Sequence, residues 1–127
     1  MPWLLRGGVV LAGVEVASGR RARRRGLLGR EGIDGALLLQ PAHSVHTFGM
    51  SFPIDVAYCM PCPPAERVNA AADEVGELVA SLVVVDTVSM PRHRLGRPRW
   101  RTNCVIEAEV GAFERWALRP ADQLEIR

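Results

Sequence analysis

A mainly β fold, of the α+β kind with small helices, follows from three observations. The chain of 127 residues carries 12 Gly and 9 Pro, and such punctuation makes many turns, which favours short strands over long helices. Short apolar stretches with strand character recur between those turns. One longer stretch, residues 63–80, departs from that pattern and has a helical period. The length suits a single domain spanning 1–127. A chain of this size buries roughly two-thirds of its unfolded surface, so it needs no disulfide or metal in order to fold.

Val9 to Val16 reads as the first strand, interrupted by Gly13. Ser18 is placed to cap a short Arg-rich helix over residues 19–28, with Gly29 stopping it. Arg20, Arg21, Arg23, Arg24 and Arg25 make that helix locally costly, because like charges repel and cations near a helix start oppose its dipole. Docking of Leu27 and Leu28 has to offset this. Ile33-Asp34-Gly35 marks a turn, and Ala36 to Gln40 reads as a buried strand ended by Pro41. Val45 to Phe48 and Ile54 to Tyr58 read as two more strands, punctuated by Gly49 and Pro53.

Val68, Ala71, Ala72, Val75 and Val79 recur at three- and four-residue spacing and predict an inserted helix near residues 63–80, started by Pro63 and Pro64. Leu82 to Val88 is a strongly apolar strand, and residues 90–101 read as a loop. From Asn103 to Val110 the pattern alternates. Cys104, Ile106, Ala108 and Val110 share one face, Glu107 and Glu109 the other. Gly111 to Trp116 allows one or two helical turns. Arg119-Pro120-Ala121-Asp122 then turns the chain into a last strand, Leu124 to Ile126.

All sixteen basic residues are Arg, and the net charge is +2. The first 30 residues carry seven Arg and one acid, and residues 92–101 carry five Arg and no acid. Arg23, Arg25, Arg97 and Arg99 are the candidate anion-binding residues, with Trp100 and His93 as stacking partners. Acidic segments balance the charge elsewhere, so nucleic acid is not expected as a partner. The N-terminal apolar run is broken by Arg6, Gly7 and Gly8, unlike an export signal. Three cysteines, an odd number, then point to a reducing, cytoplasmic setting. No stretch has the uninterrupted apolar length of a membrane span.

The candidate chemistry centres on His46-Thr47-Phe48-Gly49-Met50 and Asp55. In an extended chain Ser44, His46, Phe48 and Met50 share a face, which would turn His46 toward a core or pocket. Asp55 could orient the imidazole, and Glu107 could supply a second carboxylate. This sets His46, Met50, Asp55 and Glu107 as the ligand-binding candidates. The competing structural reading has His46 satisfied by hydrogen bonds and Asp55 accepting turn amides. Neither a metal nor a cofactor is expected. His43, His46 and Asp55 have no ligand spacing, and His43 and His46 fall on opposite strand faces. Cys59-Met60-Pro61-Cys62 follows a predicted strand and precedes a predicted helix, a setting in which a dithiol can be redox active.

Four segments resemble the bacterial and archaeal domain-of-unknown-function 192 family. They are Arg23 through Arg30; Gly35 to Leu39 with His46-x-Phe48-x-Met50; Pro53-x-Asp55; and Val105-Ile106-Glu107 followed by Gly111 to Leu118 and Pro120-x-Asp122. They span nearly the whole chain in the family's order. The resemblance implies a compact, mostly antiparallel barrel-like sheet, with no established activity. The chain departs from the family in two places. Ala121 stands where Gly is usual, so left-handed backbone there would be strained. Residues 59–80 replace a tight hairpin. The reading reached is a small binding or accessory domain, with a small molecule or a protein as partner. The enzyme alternative is thiol–disulfide chemistry at Cys59 and Cys62.

Overall fold

The computed structural model describes residues 2–17, 19–62 and 78–127. Seven strands among them close a barrel: β1 (Trp3–Arg6), β2 (Val9–Ala17), β3 (Ala36–Leu39), β4 (Ile54–Pro61), β5 (Ala80–Met90), β6 (Cys104–Glu109) and β7 (Gln123–Ile126). Their order around it is β1-β2-β3-β6-β4-β5-β7. Every neighbouring pair is antiparallel except β2 and β3. That parallel step is the crossover carrying helix α1 (Arg20–Arg25). Gly35 has φ +92°, and a Cβ on it would stand 2.5 Å from the Gly13 carbonyl oxygen. The glycine therefore lets β3 come close against β2.

Strand β1 has no counterpart among the sequence-based elements. It joins β2 through Gly7 and Gly8, both at positive φ (58° and 80°), with Arg6 opposite Val9. That is the two-residue turn whose twist suits a hairpin. α1 ends at Arg25 instead of Leu28, because Gly26 takes φ 48°. Val45–Phe48 forms no strand; its ladder is a single bridge, His46 to Leu95. Its partner segment is irregular, with His93 at φ 61°. Of the helix expected over 63–80, residues 63–77 lie outside the described residues. Beyond them the chain is extended, with the Val79 amide donating to the Ile126 carbonyl at 2.7 Å and Ala80 opening β5. No helix among the described residues is long and apolar enough to cross a membrane.

Two apolar layers result. The barrel interior holds Ala36, Leu38, Ala57, Cys59, Cys104 and Ile106, with Phe113 of helix α2 (Ala112–Arg115) packed against them. The alternate residues of the same strands, Leu37, Leu39, Ile54, Val56, Tyr58 and Val105, face outward. There they are covered by Leu27, Ile33, Val45, Met50 and Phe52 from the 26–53 region. β3 and the first part of β4 and β6 are therefore buried on both faces. The alternation read along β6 holds as far as Ala108, but Val110 is exposed and, of the two acids, Glu109 alone reaches solvent; Glu107 is beneath the cover and 4% exposed.

Candidate functional site

The cover is held by Thr47, which is fully buried. Its hydroxyl donates to the Pro91 carbonyl at 2.6 Å and accepts from the Arg94 amide at 2.8 Å, while its own amide donates to the Arg94 carbonyl at 2.7 Å. Val45 and Thr47 thus point inward, and Ser44, His46 and Phe48 point out. Gly49 at φ 76° turns the chain and returns Met50 to the interior. The expectation of a buried His46 is corrected accordingly. The period was right and the face was inverted, because the hydroxyl, not the imidazole, anchors the segment. The His46 ring stacks on Phe48, centroids 5.8 Å apart, in an exposed position.

A cavity of about 60 Å³ opens between this segment and α1. Arg23, Arg24, Arg25 and His46 contribute to its lining beside Leu39 and Met50, and Glu107 from β6 lines it from below. Glu107 sits between Leu37 of β3 and Val56 of β4 in register. Among the described residues no hydrogen bond or ion pair engages its carboxyl group. Burial alone pushes its pKa up to about 7, since a carboxylate there would lose its water without gaining a partner. A buried acid poised near neutrality at the floor of a cavity is the arrangement that marks functional sites. Tyr58 is the adjacent polar group. Its hydroxyl is buried without a hydrogen-bond partner among the described residues, and burial raises its pKa.

The cavity thus brings together three of the four ligand-site candidates, His46, Met50 and Glu107, with Arg23 and Arg25. Asp55 is elsewhere. Its carboxylate accepts the Gly111 and Phe113 amides at 2.9 and 3.2 Å and the Ser89 hydroxyl at 2.6 Å, holding the start of α2. Arg99 is engaged as well, its guanidinium 4.3 Å above the Tyr58 ring and paired with Asp86 at 3.0 Å. Arg97 is exposed and does not line the cavity. Cys59 lies within β4, facing the barrel interior opposite Cys104 of β6. The neighbouring Cys104 thiol and burial push the Cys59 thiol up, away from a thiolate. All three cysteines are buried.

A family model described as DUF192, Uncharacterized ACR, matches residues 5–126. The chain belongs to the DUF192 family. No curated protein matches it. Two solved structures share the fold of this DUF192 chain. One is a protein of unknown function from Novosphingobium aromaticivorans DSM 12444, at TM-score 0.64 and 16% identity, covering 98% of this chain and 84% of that one. The other is a candidate transcription regulator from Sinorhizobium meliloti 1021, at TM-score 0.63 and 16% identity, covering 98% and 90%. Arg24 is a charged lining residue of the cavity that reading the sequence missed, and Thr47, which anchors the cover, and Tyr58, close to Glu107, were not singled out either. Only Arg24 carried a sequence signal, as a member of the arginine run.

Proposed function

We propose that this protein is a small binding or accessory domain that takes a solute in the cavity above Glu107. The observation that carries this reading is an acid 4% exposed, without a partner among the described residues, lining a cavity. Leaving such a group unpaired costs the fold stability, and a ligand that meets it recovers that cost. Other hollows, of about 300 to 430 Å³, are lined by residues already engaged or open to solvent. Among the acids lining them, Asp55 is bonded to the Gly111 and Phe113 amides, Glu15 is paired with Arg30, and neither Glu15 nor Glu114 is buried.

Thiol–disulfide chemistry gains no support among the described residues. Cys59 sits mid-sheet, not at a helix start, and burial disfavours its thiolate. The likeness to a candidate transcription regulator, at 16% identity, contributes the fold alone.

The test is a thermal-shift screen of small metabolites against the parent and a Glu107→Leu variant, which fills the floor with an apolar side chain. Ligands that raise the parent's melting temperature should leave the variant unmoved. If the variant responds equally, the ligand sits elsewhere and this reading is wrong.

A further inference from the structure

We infer that the cavity takes the carboxylate end of a small acid, with the Glu107 carboxyl donating a hydrogen bond from the floor and the arginines at the rim supplying the positive field. This rests on the reading of the cavity as a binding site. Three arguments carry it. The first is charge. Arg23, Arg24, Arg25 and His46 line the cavity beside a single acid. The strand neighbours in register, Leu37 and Val56, are apolar, and Tyr58 is the other titratable group close to that acid. Three consecutive Arg line the rim, with the Arg23 guanidinium also reaching the Gln40 carbonyl at 3.5 Å, so the charged residues there are cationic and none is an acid. An anion is drawn inward, and Arg is suited to carboxylate.

The second argument is the state of the floor. Without a partner among the described residues the buried carboxyl keeps its proton up to about pH 7, and in that form it is a donor as well as an acceptor. A carboxylate ligand is the matching acceptor, and an acid–carboxylate hydrogen bond is short and charge-assisted. The third is size and lining. About 60 Å³ is roughly the share of two water molecules. That admits a carboxylate and a short carbon stub, and Leu27, Leu39, Val45 and Met50 line it with apolar surface. The rest of a larger acid would lie outside, over His46.

Binding then requires the protonated floor, so each ligand bound holds one proton on Glu107. Calorimetric titrations of acetate, inorganic phosphate and methylammonium into the full chain, from about pH 6 to about pH 9, read this directly. Acetate affinity should fall about tenfold per pH unit above neutrality, the slope of one linked proton. Glu107→Gln, which keeps a donor but cannot ionise, should bind acetate with no such slope. His46→Gln, which removes the other acid–base group at the rim, should keep it. Arg24→Ala, an exposed position, should weaken acetate several-fold and leave the melting temperature unchanged. A flat profile in the parent, or a slope that disappears in His46→Gln and persists in Glu107→Gln, overturns the inference. Preference for phosphate or methylammonium overturns the carboxylate assignment while the cavity stands as a binding site. If none of the three probes binds and the metabolite screen is also silent, both fall.

Discussion

The barrel interior and the outer layer are built from the same three strands, β3, β4 and β6, yet they differ in kind. Inside, alternate residues of regular strands meet one another, and that cluster contains only apolar side chains and two cysteines. Outside, the other alternate residues meet Leu27 and Ile33, which follow α1, and the irregular chain around Val45 to Phe52. Strands pair at fixed spacing and can be packed without gaps, whereas a cover of loops closes wherever its few anchors allow. The outer layer accordingly holds an acid without a partner among the described residues, beside a cavity, and the buried Tyr58 hydroxyl, whereas the buried acid on the interior side, Asp55, is bonded to two amides and a hydroxyl. Regular sheet stabilises this fold, and its imperfect cover carries the candidate site.

That contrast can be broken most forcefully by deleting bulk from each layer. Ile106→Ala, inside, should cost about 4 kcal/mol, whereas Leu27→Ala, outside, should cost about 2, because loops can settle into the space. Equal losses in urea unfolding would erase the distinction. Asp55→Ala should cost about 3 kcal/mol by the same measurement. It strips two amides of α2 and the Ser89 hydroxyl of their acceptor. A loss below about 1 kcal/mol would show that α2 holds its place without that carboxylate.

Glu107→Gln sharpens the contrast with an opposite sign. The acid's pKa is raised from 4.5 to about 7, so the folded protein keeps a proton that the unfolded chain releases. The parent's stability from this group is therefore full below 4.5 and is lost as pH rises through about 7. Above that range the amide variant should be more stable by roughly 3 kcal/mol, and near pH 4 the two should converge. A constant difference across pH, read from melting temperatures, would remove the ionisation from the account. The smallest effect belongs to the barrel's rim. Ala121 takes φ 75°, which strains any residue with a Cβ. Ala121→Gly should stabilise by about 0.5–1 kcal/mol in chemical denaturation, and a loss would show that this strain is absent.

Much of the sheet was legible because strands write their period locally. Ala36 to Gln40, Ile54 to Tyr58 and Asn103 to Val110 stand out as apolar or alternating runs. β1 is hard to read although Gly7 and Gly8 announce its hairpin, because Trp3 to Arg6 is too short to show a period and resembles the apolar start of an export signal. The site was half legible. Alternation placed His46 and Phe48 on one face, but a period of two never says which face meets the core. That depended on Thr47 finding Pro91 and Arg94, more than forty positions away along the chain. That Asp55 accepts amides was readable as the structural alternative, but not that they are those of Gly111 and Phe113, which lie far along the chain. Glu107 was readable as a carboxylate near the site, but its burial was not, because the cover comes from residues remote in sequence. The opposition of Cys59 to Cys104 was hidden for the same reason, whereas the spacing of Cys59 and Cys62 was plain.

The central claim is that the outer layer holds a neutral acid with no partner. Carbon-13 labelling of the glutamate carboxyls, with Glu107→Gln to assign the resonance, measures it directly. The account predicts that Glu107 titrates near the value of about 7 that burial gives it, well apart from the surface glutamates. A midpoint near the ordinary 4.5 would contradict it, since the carboxylate would then have water or a cation beside it and the cavity floor would be an ordinary ion.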